Sequence, residues 1–215
     1  MWFPESALAH RYLDGLVGVE IGGAAHNAFG LDTWNIDQLS HHDPATELYR
    51  AEQRRQCGEV LPVDIVAPGD LLPLRTNGVD FVISSHVIEH MFDPIRALDE
   101  WRRVARRYVF IICPQRDALD SDRVLPLTTL DEIRDRHEGR VAPPARSDLH
   151  HSRWTLSGFT EMCRAYGFCV VDTEDPDTKV GNGFTVVIDL AEPGSRREST
   201  WSRLRRLTST GRRPR

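Results

Sequence analysis

No apolar run in this 215-residue chain approaches the ~20 residues that a membrane-spanning helix needs. A membrane span is therefore not expected. The first residues, Met1-Trp2-Phe3-Pro4-Glu5, lack a basic stretch followed by an apolar one, so export by a signal peptide is not expected either. Cysteine is sparse: Cys57, Cys113, Cys163 and Cys169 show no CxxC spacing. Cys113 and Cys169 sit inside apolar, strand-like runs, where cysteine behaves as a small hydrophobe. A reduced, cytoplasmic protein is the expectation. No internal repeat is visible.

What is present is ordinary for a globular chain, with 40% apolar and 27% charged residues, enough to bury one good core. The net charge of −5 hides an asymmetry. Ser195 to Arg215 holds eight arginines and one glutamate, a tail of +7, which leaves −12 on the rest. An acidic body argues against a broad nucleic-acid footprint on the fold. We expect one domain over residues 1–192 and a basic tail over 193–215. Trp201, Leu204 and Leu207 fall at helical spacing there, but the surrounding Ser, Thr, Gly and Pro favour a solvated, disordered tail.

Periodicity divides the body into alternating strands and helices. Leu8, Tyr12, Leu13 and Leu16 space as a helix within Pro4 to Leu16, and Leu16–Ile21 reads as the first strand. A short second strand ends at Asp37. A helix covers Pro44 to Gln56 and stops near Gly58, and Val60–Val66 is the third strand. Val79-Asp80-Phe81-Val82-Ile83-Ser84 is apolar and β-branched enough to be buried on both faces. Asp93-Pro94 starts a helix carrying Ile95, Leu98, Trp101 and Val104, followed by a fifth strand over Tyr108–Cys113. Gln115 to His151 is polar and holds at most one helix, Thr129 to His137. We expect residues 115–151 to form a substrate-side insertion over the sheet's C-terminal edge. Thr155-Leu156-Ser157 opens a further helix that Gly167 ends, and Phe168–Thr173 and Gly183–Leu190 are the last strands. This order predicts an open, doubly wound, mostly parallel α/β sheet.

Ligands in such sheets bind beyond the C-terminal strand ends. Three features fall on that rim. Strand one ends in Glu20 and the small-residue loop Gly22-Gly23-Ala24, where the backbone can approach a ligand closely. Asp37 closes strand two seventeen residues later, a place and distance that suit ribose hydroxyls. Ser84-Ser85-His86 closes strand four.

Val-Glu-Ile-Gly-Gly, then Asn-Ile-Asp, then Val-Asp-Phe-Val-Ile-Ser-Ser-His-Val-Ile-Glu-His-Met-Phe-Asp-Pro resembles a class I S-adenosylmethionine-dependent methyltransferase. The resemblance is to the small, single-domain, type 11-like group, over about Leu16 to Leu190. It implies a Rossmann-like, seven-stranded sheet with an antiparallel last strand, S-adenosyl-L-methionine as cofactor and S-adenosyl-L-homocysteine as product. Glu20 and Gly22, Gly23 and Ala24 would serve the methionine end, and Asp37 the ribose with Gln38 beside it. An acidic residue near strand three, Asp64 or Asp70, would serve the adenine amine, and Ser85 with the segment after strand four would face the methyl group. The chain departs from the family at Ala24, where glycine is common. It departs again at Val104-Ala105-Arg106-Arg107, in place of a Pro-Gly-Gly turn.

His86-Val87-Ile88-Glu89-His90 also matches the HxxEH pattern of a zinc peptidase. On a helix the two histidines would share a face, but that chemistry needs a third ligand and a long helix, and Asp93-Pro94 intervenes. No metal is expected, and neither His41-His42 nor His150-His151 has carboxylate or cysteine partners at ligand spacing. His86 and His90 are the candidate catalytic residues, as general base or in a structural role. The expected function is methyl transfer to a hydroxyl or amine of a small molecule, such as a sugar or natural product. The alternatives are a non-catalytic cofactor-binding partner of the same fold, and a zinc hydrolase using His86, Glu89 and His90.

Overall fold

The computed structural model describes residues 6–23, 29–144 and 150–191. Its strands are β1 (Val17–Ile21), β2 (Asp32–Asp37), β3 (Ile65–Val66), β4 (Val79–Ser85), β5 (Ala105–Pro114), β6 (Cys169–Glu174) and β7 (Gly183–Asp189). The helices are α1 (Ala7–Leu13), α2 (Glu47–Cys57), α3 (Pro94–Val104), α4 (Asp120–Arg123), α5 (Leu130–His137) and α6 (Leu156–Ala165). The strands form one sheet in the order β3-β2-β1-β4-β5-β7-β6. β1 pairs in parallel with β2 and β4, and β7 runs antiparallel to both β5 and β6. The expected fold, antiparallel last strand included, is the observed one.

The middles of the central strands, Phe81–Ile83 of β4 and Val109–Cys113 of β5, are continuously apolar because both faces are covered. Along β4 and β5, Phe81, Ile83, Phe110 and Ile112 pack against Leu8, Ala9 and Leu13 of α1. The alternate residues, Val82, Val109 and Ile111, join Trp101 of α3 and Phe159 and Met162 of α6 on the other face. This period of two is the pleat itself. β1 lies close under Phe81: a Cβ at Gly18 would sit 2.4 Å from a ring carbon, so only glycine lets strand and ring approach.

Sequence-level boundaries needed three adjustments. β3 is two residues long, not the seven expected over 60–66, because only Ile65 and Val66 pair with β2, and Pro62 has no N–H to give to a ladder. β5 begins at Ala105, directly at the end of α3, with no intervening turn; Ala105 pairs with Val79. The 115–151 stretch holds α4 as well as α5, where one helix at most was expected. α5 itself starts with a capping box: Thr129 accepts from the Glu132 N–H, and Glu132 accepts from the Thr129 N–H. The basic tail and the loop residue Ala24 lie outside the described residues.

α5 docks on the start of α3 through His137, whose Nδ1 is 3.0 Å from Asp93 Oδ2. Asp93 also caps α3 by accepting from the Arg96 N–H. The hydrogen bond to Asp93 raises the pKa of His137 above its ordinary value, against the opposing effect of burial. A raised folded-state pKa contributes stability that is fully present below about 6.5, the unfolded value, and fades as pH rises through the folded one. The stability lost in His137→Gln should therefore be larger at about pH 5.5 than at about pH 9, as read from urea unfolding at both. An equal loss at both would remove the ion pair as the cause.

Candidate active site on the sheet rim

The C-terminal ends of β1, β2 and β4 are neighbours in the sheet, which brings Glu20, Asp37 and Ser85 to one rim. After β1 the chain turns at Gly22, whose φ of +74° is a conformation that costs a side chain about 1–2 kcal/mol. A Cβ there would also lie 2.5 Å from Val87 Cγ2. The loop after β1 and the segment after β4 are thus packed backbone to side chain, and Gly22 is the residue that permits it.

Glu20 is buried, and burial raises its pKa although Lys179 opposes the shift. Lys179 is the only lysine in the sequence and is 1% exposed. Its Nζ stands 3.6 Å from the centre of the Phe29 ring and 4.0 Å from Glu20 Oε1. Asp177 builds the loop that delivers it, its carboxylate accepting from the backbone N–H groups of Lys179, Val180, Gly181 and Gly183. Nothing in the sequence linked Lys179 to Glu20, 159 positions earlier; only the fold, which brings the β6–β7 loop back over the rim, does so.

Asp37 is half-buried and its pKa is raised by that burial. Its side chain accepts from the Leu39 N–H at 3.2 Å, while its backbone oxygen accepts from Ala67 and holds β3 in place. Gln38 follows it in the same turn. The two acidic candidates near β3 part company. Asp64 precedes the strand, and its carboxylate accepts from the Asn35 N–H at 2.8 Å. Asp70 follows the strand on the rim side, its Oδ2 3.3 Å from Arg96 Nε.

His86 sits at the end of β4 in a left-handed conformation, φ +56°, with its N–H donated to the Ile112 carbonyl. Strain of this kind at a non-glycine residue is a feature of functional sites. The next residues, Ile88–His90, form a single 3-10 turn. The long helix that the zinc-peptidase pattern requires is absent from this described segment.

Instead, the turn brings Glu89 and His90 to His150, sixty positions away. Glu89 Oε1 is 3.8 Å from His90 Nε2 and 3.9 Å from His150 Nε2. The His90 and His150 rings stand edge to face, 4.6 Å between centres. His150 Nδ1 is 2.5 Å from Asp122 Oδ2, and the backbone N–H groups of His151 and Ser152 donate to the Glu89 carbonyl. Burial pushes the Glu89 carboxyl up to about 8. The sequence placed His150 among loop histidines without carboxylate partners; α4 supplies Asp122 and the 3-10 turn supplies Glu89. Short-range spacing could not signal this.

A Rossmann-like sheet in this strand order, with an acid-and-glycine turn after β1 and a carboxylate after β2, defines the class I S-adenosylmethionine-dependent methyltransferase fold. Residues 20–113 match a family model described as a methyltransferase domain, a segment that runs from the last residues of β1 into β5 and holds every rim residue up to His90. The structure is similar to a SAM-dependent methyltransferase from Methanosarcina mazei (13% identity, 85% of this chain and 96% of that one, TM-score 0.51). It is similar also to a protein of Pyrococcus horikoshii OT3 (14%, 85% of each chain, TM-score 0.50). A third likeness, to the [4+2]-cyclase SpnF (14%, 85% and 77%, TM-score 0.51), shows that the fold also carries chemistry other than methyl transfer. No curated protein sequence matches the chain significantly.

The methyltransferase-domain model matched over residues 20–113 points to S-adenosylmethionine as the cofactor, and the residues of the rim fit it. Buried Ser84 and Ser85 hydroxyls have no hydrogen-bond partner among the described residues. Glu20 and Lys179 offer paired opposite charges to a zwitterionic amino-acid end.

Proposed function

We propose that this chain transfers the methyl group of S-adenosylmethionine to a hydroxyl or amine of a small molecule. The observation that carries the reading is the convergence of Glu20, Asp37 and the Ser85–His90 segment on the ends of three adjacent strands. Bound cofactor supplies an already activated methyl on a sulfonium, so the protein's work is positioning and exclusion of water. Glu20 would hold the cofactor's ammonium and Lys179 its carboxylate. Asp37, with Gln38 beside it, would accept from the ribose hydroxyls. Asp70 is the acid on the rim side of β3 and takes the adenine edge in this reading; Asp64 serves β2. His86, on its left-handed turn at the end of β4, is the candidate base that accepts the acceptor's proton. Residues 115–151, which pack against Glu89 and Asp93 through His151 and His137, would choose the substrate. The acidic body fits a small acceptor better than nucleic acid.

Calorimetry with S-adenosylmethionine and S-adenosylhomocysteine tests the first half of this reading. Stoichiometric binding of both is expected, and none at all would overturn it. For the second half, a labelled methyl group should pass from cofactor to a small-molecule fraction of cell extract. His86→Asn should slow that transfer by about 10²- to 10⁴-fold, the worth of a positioned base, with cofactor affinity unchanged. Transfer at the wild-type rate would take the base role from His86.

A further inference from the structure

We propose that Glu89, His90 and His150 form a binding site for one divalent transition-metal ion. One ligand atom from each lies within 4.8 Å of the others. Bond lengths of about 2.0–2.1 Å around a tetrahedral ion set its ligand atoms about 3.4 Å apart. The observed 3.8 and 3.9 Å separations from Glu89 Oε1 thus need only a rotamer-scale adjustment to close on an ion.

Two independent features point to a ligand there. Glu89 is 1% exposed, yet neither carboxylate oxygen has a hydrogen-bond partner among the described residues. The imidazole nitrogens facing it stand beyond hydrogen-bond reach. A buried carboxylate left in that condition is costly, and a cation between it and the two rings removes the cost. The other feature is the tautomer of His150. With the Asp122 carboxylate oxygen as acceptor, Nδ1 carries the hydrogen and Nε2 is left to turn its lone pair toward Glu89. A carboxylate behind a ligating histidine is the usual second partner of a metal site; Asp122 is itself held by Arg153, 3.5 Å away.

The donor set identifies the ion. Two imidazoles and one carboxylate suit zinc, iron or cobalt and not magnesium, which takes oxygen ligands. Three protein ligands leave a position open, as in catalytic sites, and partly exposed His90 gives the ion a path from solvent. On the methyl-transfer reading, and resting on it, the open position would take an oxygen of the acceptor.

The test uses the full chain without an added histidine tag, stripped with a chelator and free of cofactor. Its outcome is thus separate from that of the S-adenosylmethionine calorimetry. Titration with Zn²⁺ against a chromophoric chelator should show one equivalent bound. Co²⁺ should give visible bands of four- or five-coordinate intensity, and Mg²⁺ should not compete. Glu89→Gln and His150→Gln should abolish the Co²⁺ bands, and Asp122→Asn should weaken Zn²⁺ about 10- to 100-fold. Partly exposed His90 provides a further variant, His90→Gln, that leaves the buried partners in place; it too should lose the bands. His41→Asn should behave as the unaltered chain. No saturable one-to-one binding, or Co²⁺ bands that persist in folded His90→Gln and Glu89→Gln proteins, would overturn the site.

Discussion

An Asp37→Ala protein is expected to bind S-adenosylmethionine about 30- to 1,000-fold more weakly than the unaltered chain, a loss of about 2–4 kcal/mol. Two hydroxyls donating to one carboxylate make charge-assisted bonds, each worth more than a neutral pair. The carboxylate is already part-way desolvated by the fold, as its raised pKa records, so little further desolvation offsets the gain. The substitution should leave the sheet intact, because the contact holding β3 is made by the Asp37 backbone oxygen and not the side chain. Asp37→Asn keeps one acceptor and should fall between the two. Calorimetry on all three proteins gives the answer, and unchanged affinity in the alanine variant would take the ribose away from Asp37.

Trp101→Ala is expected to cost about 3–5 kcal/mol of folding stability, the range for removing a large aromatic from a packed core. Trp101 is fully buried on α3, and its Nε1–H donates to the Gly69 carbonyl at 2.7 Å. Truncation therefore opens a cavity and strips a partner from the segment that leads into Asp70. Trp101→Phe keeps most of the volume and loses only the hydrogen bond, for about 1–2 kcal/mol. Urea unfolding with an unchanged m-value should rank the three proteins in that order. A loss below about 1 kcal/mol in the alanine variant would mean that the core relaxes around the gap.

Much of the fold was legible because its signals are local. The run at Val79–Ser84 reads as a doubly buried strand from apolar character alone, and the strand observed, Val79–Ser85, is buried along nearly its whole length. Asp93-Pro94 and Thr155 mark helix starts because a short polar side chain at an N-cap satisfies orphan N–H groups nearby, and both residues do so here. β3 was overextended because Val60–Val66 looks like a strand by composition. Its actual length is set by what β2 can pair with.

The site divides along the same line. Glu20, Gly22, Asp37 and Ser85 could be placed on the rim from the sequence because they lie at the ends of three strands, and those ends carry short-range signals. Lys179 beside Glu20, and His150 with Asp122 beside Glu89 and His90, could not. Their partners lie tens of residues away, on the β6–β7 loop and on the segment that folds back over β4. The sequence by itself determined the strands, their order of type and the residues at their ends, because periodicity and capping act over a few positions. Only the tertiary structure decided which charges from separate loops share a buried space, because contact between distant residues depends on how the sheet returns the chain to its rim.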